Sequence, residues 1–126
     1  MPVELVWIAA GGAAGSVARH LVAIWLDRGA KTPFPPTLAV NLLGSFLTAL
    51  VVQIATARGA MDSLPRLVLT AGVLGGFTTY SAFNQETIVL LRQGAWGTAL
   101  ANVGLTLAGC LAAGFLGLFI GRFVAR

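Results

Sequence analysis

The sequence predicts an all-α membrane protein with four transmembrane helices and a break in the third. Two observations lead to this fold class. Hydrophobic residues make up 57% of the 126 residues and charged residues only 10%, whereas a soluble domain carries about 25% charged residues. The few charges also stand at the ends of long uncharged intervals. Helices suit such intervals, since about 20 apolar residues cross the hydrocarbon core and every backbone polar group bonds within the helix.

Four uncharged intervals fill the chain, and they predict spans near residues 4–26, 37–57, 66–92 and 96–121. The connector at 27–36 holds three charges and three prolines. Two of those prolines, Pro35 and Pro36, suit a helix start, where a missing N–H costs little. Gly, Asp, Ser and Pro mark the next connector as a turn, and the last connector is a short hairpin. Residues 1–126 therefore form one predicted transmembrane domain.

Small residues recur at the spacing that lets helices pack closely. Gly11 and Gly15 form one GxxxG pattern, and Gly117 and Gly121 form another. In membranes this spacing lets two helix backbones approach and pack by dispersion. We expect compact helix–helix association, within the chain or between chains.

The basic residues divide almost evenly between the two predicted membrane faces. One face has Arg58, Arg66, Arg122 and Arg126, and the other has Arg28, Lys31 and Arg92, joined by Arg19 if its side chain extends that way. An excess of Lys and Arg on the cytoplasmic side normally sets orientation. Its near absence indicates insertion in both orientations and an antiparallel homodimer, although a single fixed orientation stays open. The basic residues form no cluster that would bind nucleic acid.

Several polar residues lie inside the predicted spans, where they are costly and therefore indicate function. The amide of Asn41 has two N–H donors, which would either bridge helices or donate to an anion. Asn102 and Thr106 lie one turn apart on the fourth span, and we expect them to hydrogen-bond to another helix. Arg19 would either raise the local positive potential or extend its charge to the interface.

The third span contains the stretch GVLGGFTTYSAF at 72–83, which predicts a helix break near 75–79. Its glycines weaken a helix: Gly72, Gly75 and Gly76. Its hydroxyl groups compete for backbone partners: Thr78, Thr79 and Ser81. Irregular backbone at membrane depth is tolerated only inside protein or beside a cavity. Freed carbonyl groups there would suit a bare cation, as in transporters with unwound helices.

Two aromatic residues follow the predicted break. Tyr80 and Phe83 lie three residues apart and share a helix face. Aromatic rings have a positive edge, so they would stabilise a small anion without a full positive charge. A fixed cation would hold the anion too tightly for it to leave. Ser81 and Asn84 add neutral donors. Together these features favour an ion pathway.

Three motifs resemble the Fluc/CrcB family of fluoride channels: GGAAGSVAR at 11–19, TLAVNLLGS at 37–45 and GVLGGFTTYSAFNQE at 72–86. The resemblance implies an antiparallel, dual-topology homodimer with two pores in the lipid bilayer of a bacterial plasma or inner membrane. It also implies a fluoride-specific ion channel that exports fluoride passively and lowers its toxicity in the cytoplasm.

The resemblance also assigns roles to individual residues. It implies a structural sodium ion at the dimer centre, held by main-chain carbonyls of Gly75 and Thr78 and not transported. The fluoride pathway implied by the same motifs comprises Asn41, Thr79, Tyr80, Ser81, Phe83 and Glu86. Arg19 corresponds to a vestibule arginine. The chain departs from the family pattern at three positions, with Tyr80 for the first phenylalanine, Ala82 for a hydroxyl residue and Asn84 for serine.

Three other functions fit the sequence less well. A small multidrug-resistance-type exporter, also dual in topology, is the main alternative, but it needs a carboxylate within an early helix, and the first span has no acid after Glu4. A packing subunit without transport would need neither a helix break nor Asn41. An enzyme is not expected, because four acids, one His and one Cys assemble no catalytic site.

Overall fold

The computed structural model describes residues 2–29 and 32–126, so Lys31 of the charge balance lies outside the described residues. All regular secondary structure within these residues is helical, which confirms the all-α fold class. Three helices are long: α1 (Pro2–Gly29), α2 (Pro36–Ala57) and α6 (Trp96–Val124). Between α2 and α6 lie α3 (Leu64–Leu67), a π-helix (Val68–Leu74), α4 (Gly75–Phe77) and α5 (Tyr80–Arg92).

By length and composition, three segments can each cross a bilayer: Val3–Gly29, Pro36–Ala57 and Trp96–Val124. The protein is therefore a multi-pass membrane protein. The region between α2 and α6 is divided into shorter helical pieces, so it contains no single helix of that length.

The helix ends follow the turn chemistry of the sequence. Helix α2 begins at Pro36, directly after Pro35 in an extended conformation. Proline is tolerated there because the N–H groups of the first turn have no acceptor within the helix. Gly59 and Gly94, which follow α2 and α5, adopt φ angles of 61° and 75°. Glycine enters this left-handed region without a Cβ clash, and it therefore ends both helices.

Two close helix pairings form the core of the chain. Helix α2 packs along α6, and α1 packs against the π-helix and α4. On α6, a Cβ added to Gly117 would collide with the Phe46 carbonyl oxygen, and one added to Gly121 would lie 2.8 Å from the Gln53 side chain. On α1, a Cβ on Gly11 would lie 3.1 Å from the Val68 carbonyl oxygen. Both GxxxG patterns therefore lie at close contacts, as predicted.

The glycines of the third segment do not break its helix, which corrects the sequence prediction. Gly72 belongs to the π-helix, and Gly75 and Gly76 belong to α4. A Cβ on Gly72 would lie 2.9 Å from the Ile8 carbonyl oxygen, and one on Gly76 would collide with the Gly12 carbonyl oxygen. These two glycines instead let the backbone of α1 approach, because packing against a second helix offsets their low helix propensity.

The break itself lies at Thr78 and Thr79, the last two residues of the predicted window. Their backbones are extended, with φ/ψ angles of −78°/155° and −154°/124°. Helix α5 begins directly afterwards, where the Thr79 hydroxyl accepts a hydrogen bond from the Ala82 N–H at 3.2 Å. A threonine side chain thus caps α5 in place of the preceding helical turn.

Candidate functional site at the helix break

Asn41 of α2 holds the broken backbone in place. Its Nδ2 donates to the Thr79 carbonyl oxygen at 3.0 Å, and its Oδ1 accepts from the Thr79 N–H at 2.9 Å. Asn41 and Thr79 are both buried, each with 9% of its surface exposed. A buried backbone group without a partner is costly, and this one side chain satisfies both groups of Thr79. Asn41 therefore bridges α2 and the break, and its contact with an anion through its second N–H stays a prediction.

The break also removes the helical donors of two carbonyl groups. In a continuous helix the N–H groups of Thr79 and Ala82 would donate to the carbonyls of Gly75 and Thr78. Here those N–H groups donate to Asn41 Oδ1 and Thr79 Oγ1 instead. The carbonyls of Gly75 and Thr78 are thereby left without their helical hydrogen bonds. Gly75 is exposed and Thr78 is half-buried.

The two aromatic residues after the break touch each other but differ in environment. The ring centroids of Tyr80 and Phe83 are 5.7 Å apart, with an angle of 56° between the ring planes. Phe83 is 6% exposed, whereas Tyr80 is 76% exposed. The pair therefore presents a buried ring and an outward-facing ring on the first turn of α5.

Polar side chains near the start of α5 face outward. Ser81, Asn84 and Gln85 are exposed. The Ser81 hydroxyl lies 3.3 Å from the Thr79 hydroxyl, and either oxygen can donate. This row, together with Tyr80, forms a polar and aromatic face beside the break.

Glu86 lies one turn beyond Phe83 and accepts a hydrogen bond from the Thr37 hydroxyl of α2. Thr37 stands four residues before Asn41, so both residues lie on the same face of α2. One face of α2 therefore contacts both the break and the carboxylate of α5.

A groove of about 640 Å³ runs beside the break, between α2, the start of α5 and α6. Asn41, Thr78, Tyr80 and Phe83 are among the residues that line it. The structure thus gathers Asn41, Thr78, Thr79, Tyr80, Ser81 and Phe83 at the break, and it places Glu86 next to them.

Comparison with protein families identifies the family of this chain. The model of the family described as "CrcB-like protein, Camphor Resistance (CrcB)" matches residues 6–118. The chain belongs to the CrcB family. This membership confirms the resemblance that the three motifs predicted.

Curated relatives of this CrcB-family chain have the name fluoride-specific ion channel FluC. The relative from Sorangium cellulosum is 47% identical over 118 residues, which cover 92% of each chain. The relative from Anaeromyxobacter dehalogenans is 44% identical and covers 97% of this chain and 98% of its own. The relative from Agrobacterium fabrum is 43% identical over 121 residues. These names describe ion channels, in agreement with the prediction that this chain is not an enzyme.

Arg19 is the predicted site residue that the structure does not bring to the break. It is half-buried on α1, the helix that packs mainly against the π-helix and α4 rather than α5. Within residues 2–29 and 32–126, no hydrogen bond or ion pair of its guanidinium group ties it to the site. Its vestibule role therefore stays a prediction.

Sequence reasoning missed two polar contacts of this CrcB-family chain. The Thr37 hydroxyl donates a hydrogen bond to Glu86. The spacing T-x-x-x-N places Thr37 and Asn41 on one face of α2, and it is the sequence signal that would have indicated this contact. Ser16 of α1 donates to the Gly76 carbonyl oxygen at 3.4 Å. Of the two fourth-span residues expected to bond another helix, Asn102 does so, with Nδ2 3.1 Å from the Thr87 hydroxyl. Within residues 2–29 and 32–126 the buried hydroxyl of Thr106 has no hydrogen-bond partner, so its bond to another helix stays a prediction.

Proposed function

We propose that the protein is a fluoride channel that conducts fluoride passively out of the cell and so lowers its concentration in the cytoplasm. The observation that carries this proposal is the helix break at Thr78 and Thr79, held by Asn41 next to an aromatic pair and a groove. The names of the relatives support the choice of ion. Export is useful to a cell because neutral HF crosses membranes and dissociates inside at neutral pH.

The groups at the break suit a small anion that must bind and leave again. The hydroxyls of Thr79 and Ser81 are neutral donors, and the rings of Tyr80 and Phe83 offer partially positive edges. Conduction requires binding that is favourable enough for entry and weak enough for release. A site of neutral donors meets this requirement better than a full positive charge.

The test of the proposed function is fluoride efflux from liposomes. Vesicles loaded with potassium fluoride and containing the purified protein should release fluoride to an ion-selective electrode once valinomycin lets potassium follow. Chloride-loaded vesicles should release little chloride. Efflux no faster than from protein-free vesicles, with monodisperse protein in the membrane, would refute the proposal.

We further propose that four segments of the chain cross the membrane, with α3 to α5 forming the third, and that two copies pair. Exposed polar groups on α5, namely Ser81, Asn84 and Gln85, support pairing. If α5 crosses the bilayer, these side chains are too costly to face lipid. A second copy covering this face would remove them from lipid and enclose the groove. The near-even charge balance supports an antiparallel arrangement.

Labelling of a single cysteine tests the antiparallel arrangement. Gln93 is exposed in the turn after α5, so Gln93→Cys places a thiol there without changing the charge balance. Cys110→Ser removes the native thiol. With two orientations, an impermeant maleimide should label roughly half of the protein in intact cells and the rest after permeabilisation. Complete labelling from one side only would contradict the proposal.

A structural sodium ion between the two copies is part of the same proposal. The carbonyls of Gly75 and Thr78 fit such an ion, because they lost their helical donors to Asn41 and Thr79, and hard cations take oxygen ligands. Two carbonyls from each copy would hold the ion. When bound, it supplies a fixed positive charge next to the break. The side chains around it keep their roles: Asn41 holds the backbone, and Tyr80 and Phe83 face the pathway.

Replacing sodium by N-methylglucamine should therefore weaken the dimer. In sodium, light scattering should give the mass of two 13.0-kDa chains, and the melting temperature should fall by several degrees when sodium is removed. Gly75→Ala should reduce this sodium dependence, because a side chain at this position would hinder the approach of the backbone to the ion. Within the chain the substitution is tolerated, since the added Cβ would meet only the Thr70 carbonyl oxygen, at 3.4 Å. Equal mass and melting temperature in both solutions would contradict the sodium site.

A further inference from the structure

The outer face of α6 is aromatic along the span and basic at its end. Phe115 and Phe119 each stand two residues from Gly117, which contacts α2, and two residues turn a helix by about 200°. Both rings therefore point away from α2, and both are more than half exposed. Arg122 follows Phe115 by seven residues, so it lies on the same face, and it is exposed.

An aromatic stack leads from this face to a second arginine. The rings of Phe119 and Phe123 meet edge to face, with their centroids 4.9 Å apart. The guanidinium group of Arg126 lies over the Phe123 ring, 5.2 Å from its centroid. The negative face of an aromatic ring attracts a cation, which favours this position of the guanidinium group. The contact supplies no anionic partner, so the charge of Arg126 still lacks a counter-charge.

A third arginine stands at the same end of the helix pair. Helices α2 and α6 run in the same direction, and a Cβ on Gly121 would lie 2.8 Å from the Gln53 side chain. Arg58 follows Gln53 by five residues, and Arg126 follows Gly121 by five. Among the residues that the structure describes, no carboxylate forms an ion pair with Arg58, Arg122 or Arg126. Positive charge therefore collects where α2 and α6 end.

We propose that this end of α6 binds a phospholipid with an anionic headgroup. Arg122 and Arg126 bind the headgroup phosphate, and Phe115 and Phe119 contact an acyl chain. Arginine donors match the geometry of a phosphate, and basic residues beside a membrane-spanning helix attract anionic lipids. A zwitterionic headgroup carries the same phosphate but adds a cation, which these arginines repel.

Charge complementarity favours a lipid over a second copy of α6 on this face. A second α6 would cover the exposed rings, but residues 96–126 include no acidic residue and would supply no counter-charge. The acyl chains of the bilayer cover the rings equally well, and an anionic headgroup supplies the missing charge at the level of the arginines. The lipid site does not depend on fluoride conduction.

Native mass spectrometry of the full chain in detergent, with equal amounts of phosphatidylglycerol and phosphatidylcholine, tests the inference. The wild type should retain phosphatidylglycerol in preference to phosphatidylcholine. Each basic residue near an anionic membrane surface contributes about fivefold to binding. The double variant Arg122→Gln and Arg126→Gln should therefore bind phosphatidylglycerol about thirtyfold more weakly.

The matched control is the double variant Arg28→Gln and Arg92→Gln, which also removes two exposed arginines but from the other predicted membrane face. It should bind phosphatidylglycerol as the wild type does. Equal losses in the two double variants would overturn the inference, and so would a wild type that binds both lipids equally. Displacement of the lipid by excess inorganic phosphate would indicate a site for a free anion and would also overturn it.

Two further measurements separate the lipid site from a structural role of the arginines. Basic residues in the last turn stabilise a helix by themselves. A lower melting temperature of the Arg122→Gln and Arg126→Gln variant with an unchanged lipid preference would show this role alone and would overturn the inference. Light scattering that showed a smaller assembly for this variant than for the wild type would identify the face as an interface between copies, which would overturn it as well.

Discussion

Gly15→Ala is expected to abolish the folded protein or to destabilise it by about 3 kcal/mol or more, since overpacking of a tight contact has costs of this order. An added Cβ would collide with the Val73 carbonyl oxygen and lie 2.9 Å from the Phe77 backbone nitrogen. Both neighbours are backbone atoms, which no change of rotamer can move aside. Helix α1 would have to move away from the π-helix and α4, and the break at Thr78 would lose its support.

Gly12→Ala is the matched control for this prediction. Gly12 lies on the same helix, and an added Cβ would have its nearest neighbour, the Gly72 carbonyl oxygen, at 3.9 Å. We expect wild-type yield and melting temperature for Gly12→Ala, and aggregated or unstable protein for Gly15→Ala. Equal melting temperatures and equal chromatographic profiles for the two variants would show that α1 does not pack as described.

Asn41→Leu is expected to abolish fluoride efflux and to cost about 2–6 kcal/mol, because it leaves two buried backbone groups of Thr79 without partners at about 1–3 kcal/mol each. If the freed Thr79 N–H returns to the Gly75 carbonyl, its partner in a continuous helix, only the Thr79 carbonyl stays unpaired, the cost is at the lower end of this range, and the Gly75 carbonyl is no longer free for an ion. The substitution should therefore remove sodium-dependent stability along with efflux. Melting temperatures with and without sodium, together with the fluoride electrode, measure both effects.

Asn102→Leu is the control for this change, since it also removes a buried amide. Among the residues that the structure describes, Asn102 makes one side-chain hydrogen bond, to Thr87, and its Oδ1 has no partner. Thr87 keeps its bond to the Phe83 carbonyl oxygen. We expect Asn102→Leu to keep most of its stability and efflux. If Asn41→Leu behaved in the same way, the amide of Asn41 would not be what holds the break.

The positions of glycines show how far sequence reasoning extends. The GxxxG spacing of α1 predicted a close contact, and the structure has one, because spacing alone sets which residues share a helix face. Helix propensity, which is a local quantity, predicted instead that Gly72 and Gly76 weaken the third helix. They are helical because α1 packs against them, and the sequence of the third segment contains no information about that partner.

The candidate site was predicted to a similar extent. Asn41, Tyr80 and Phe83 were identified from residue type and depth in their spans. The mutual hydrogen bonds between Asn41 and Thr79 could not be predicted, because they join residues 38 positions apart. The difference in exposure between Tyr80 and Phe83 was also hidden, since a helix face does not specify what covers it.

The sequence by itself determined the membrane class, the helical content, the turn positions and the presence of an interruption within the third segment. These properties follow from composition and short spacings, which act within a few residues of the chain. Only the tertiary structure decided where the backbone opens, which side chain holds it open and which hydroxyls face the groove. Those features depend on contacts between distant helices, whose energies outweigh the local preferences of any one segment.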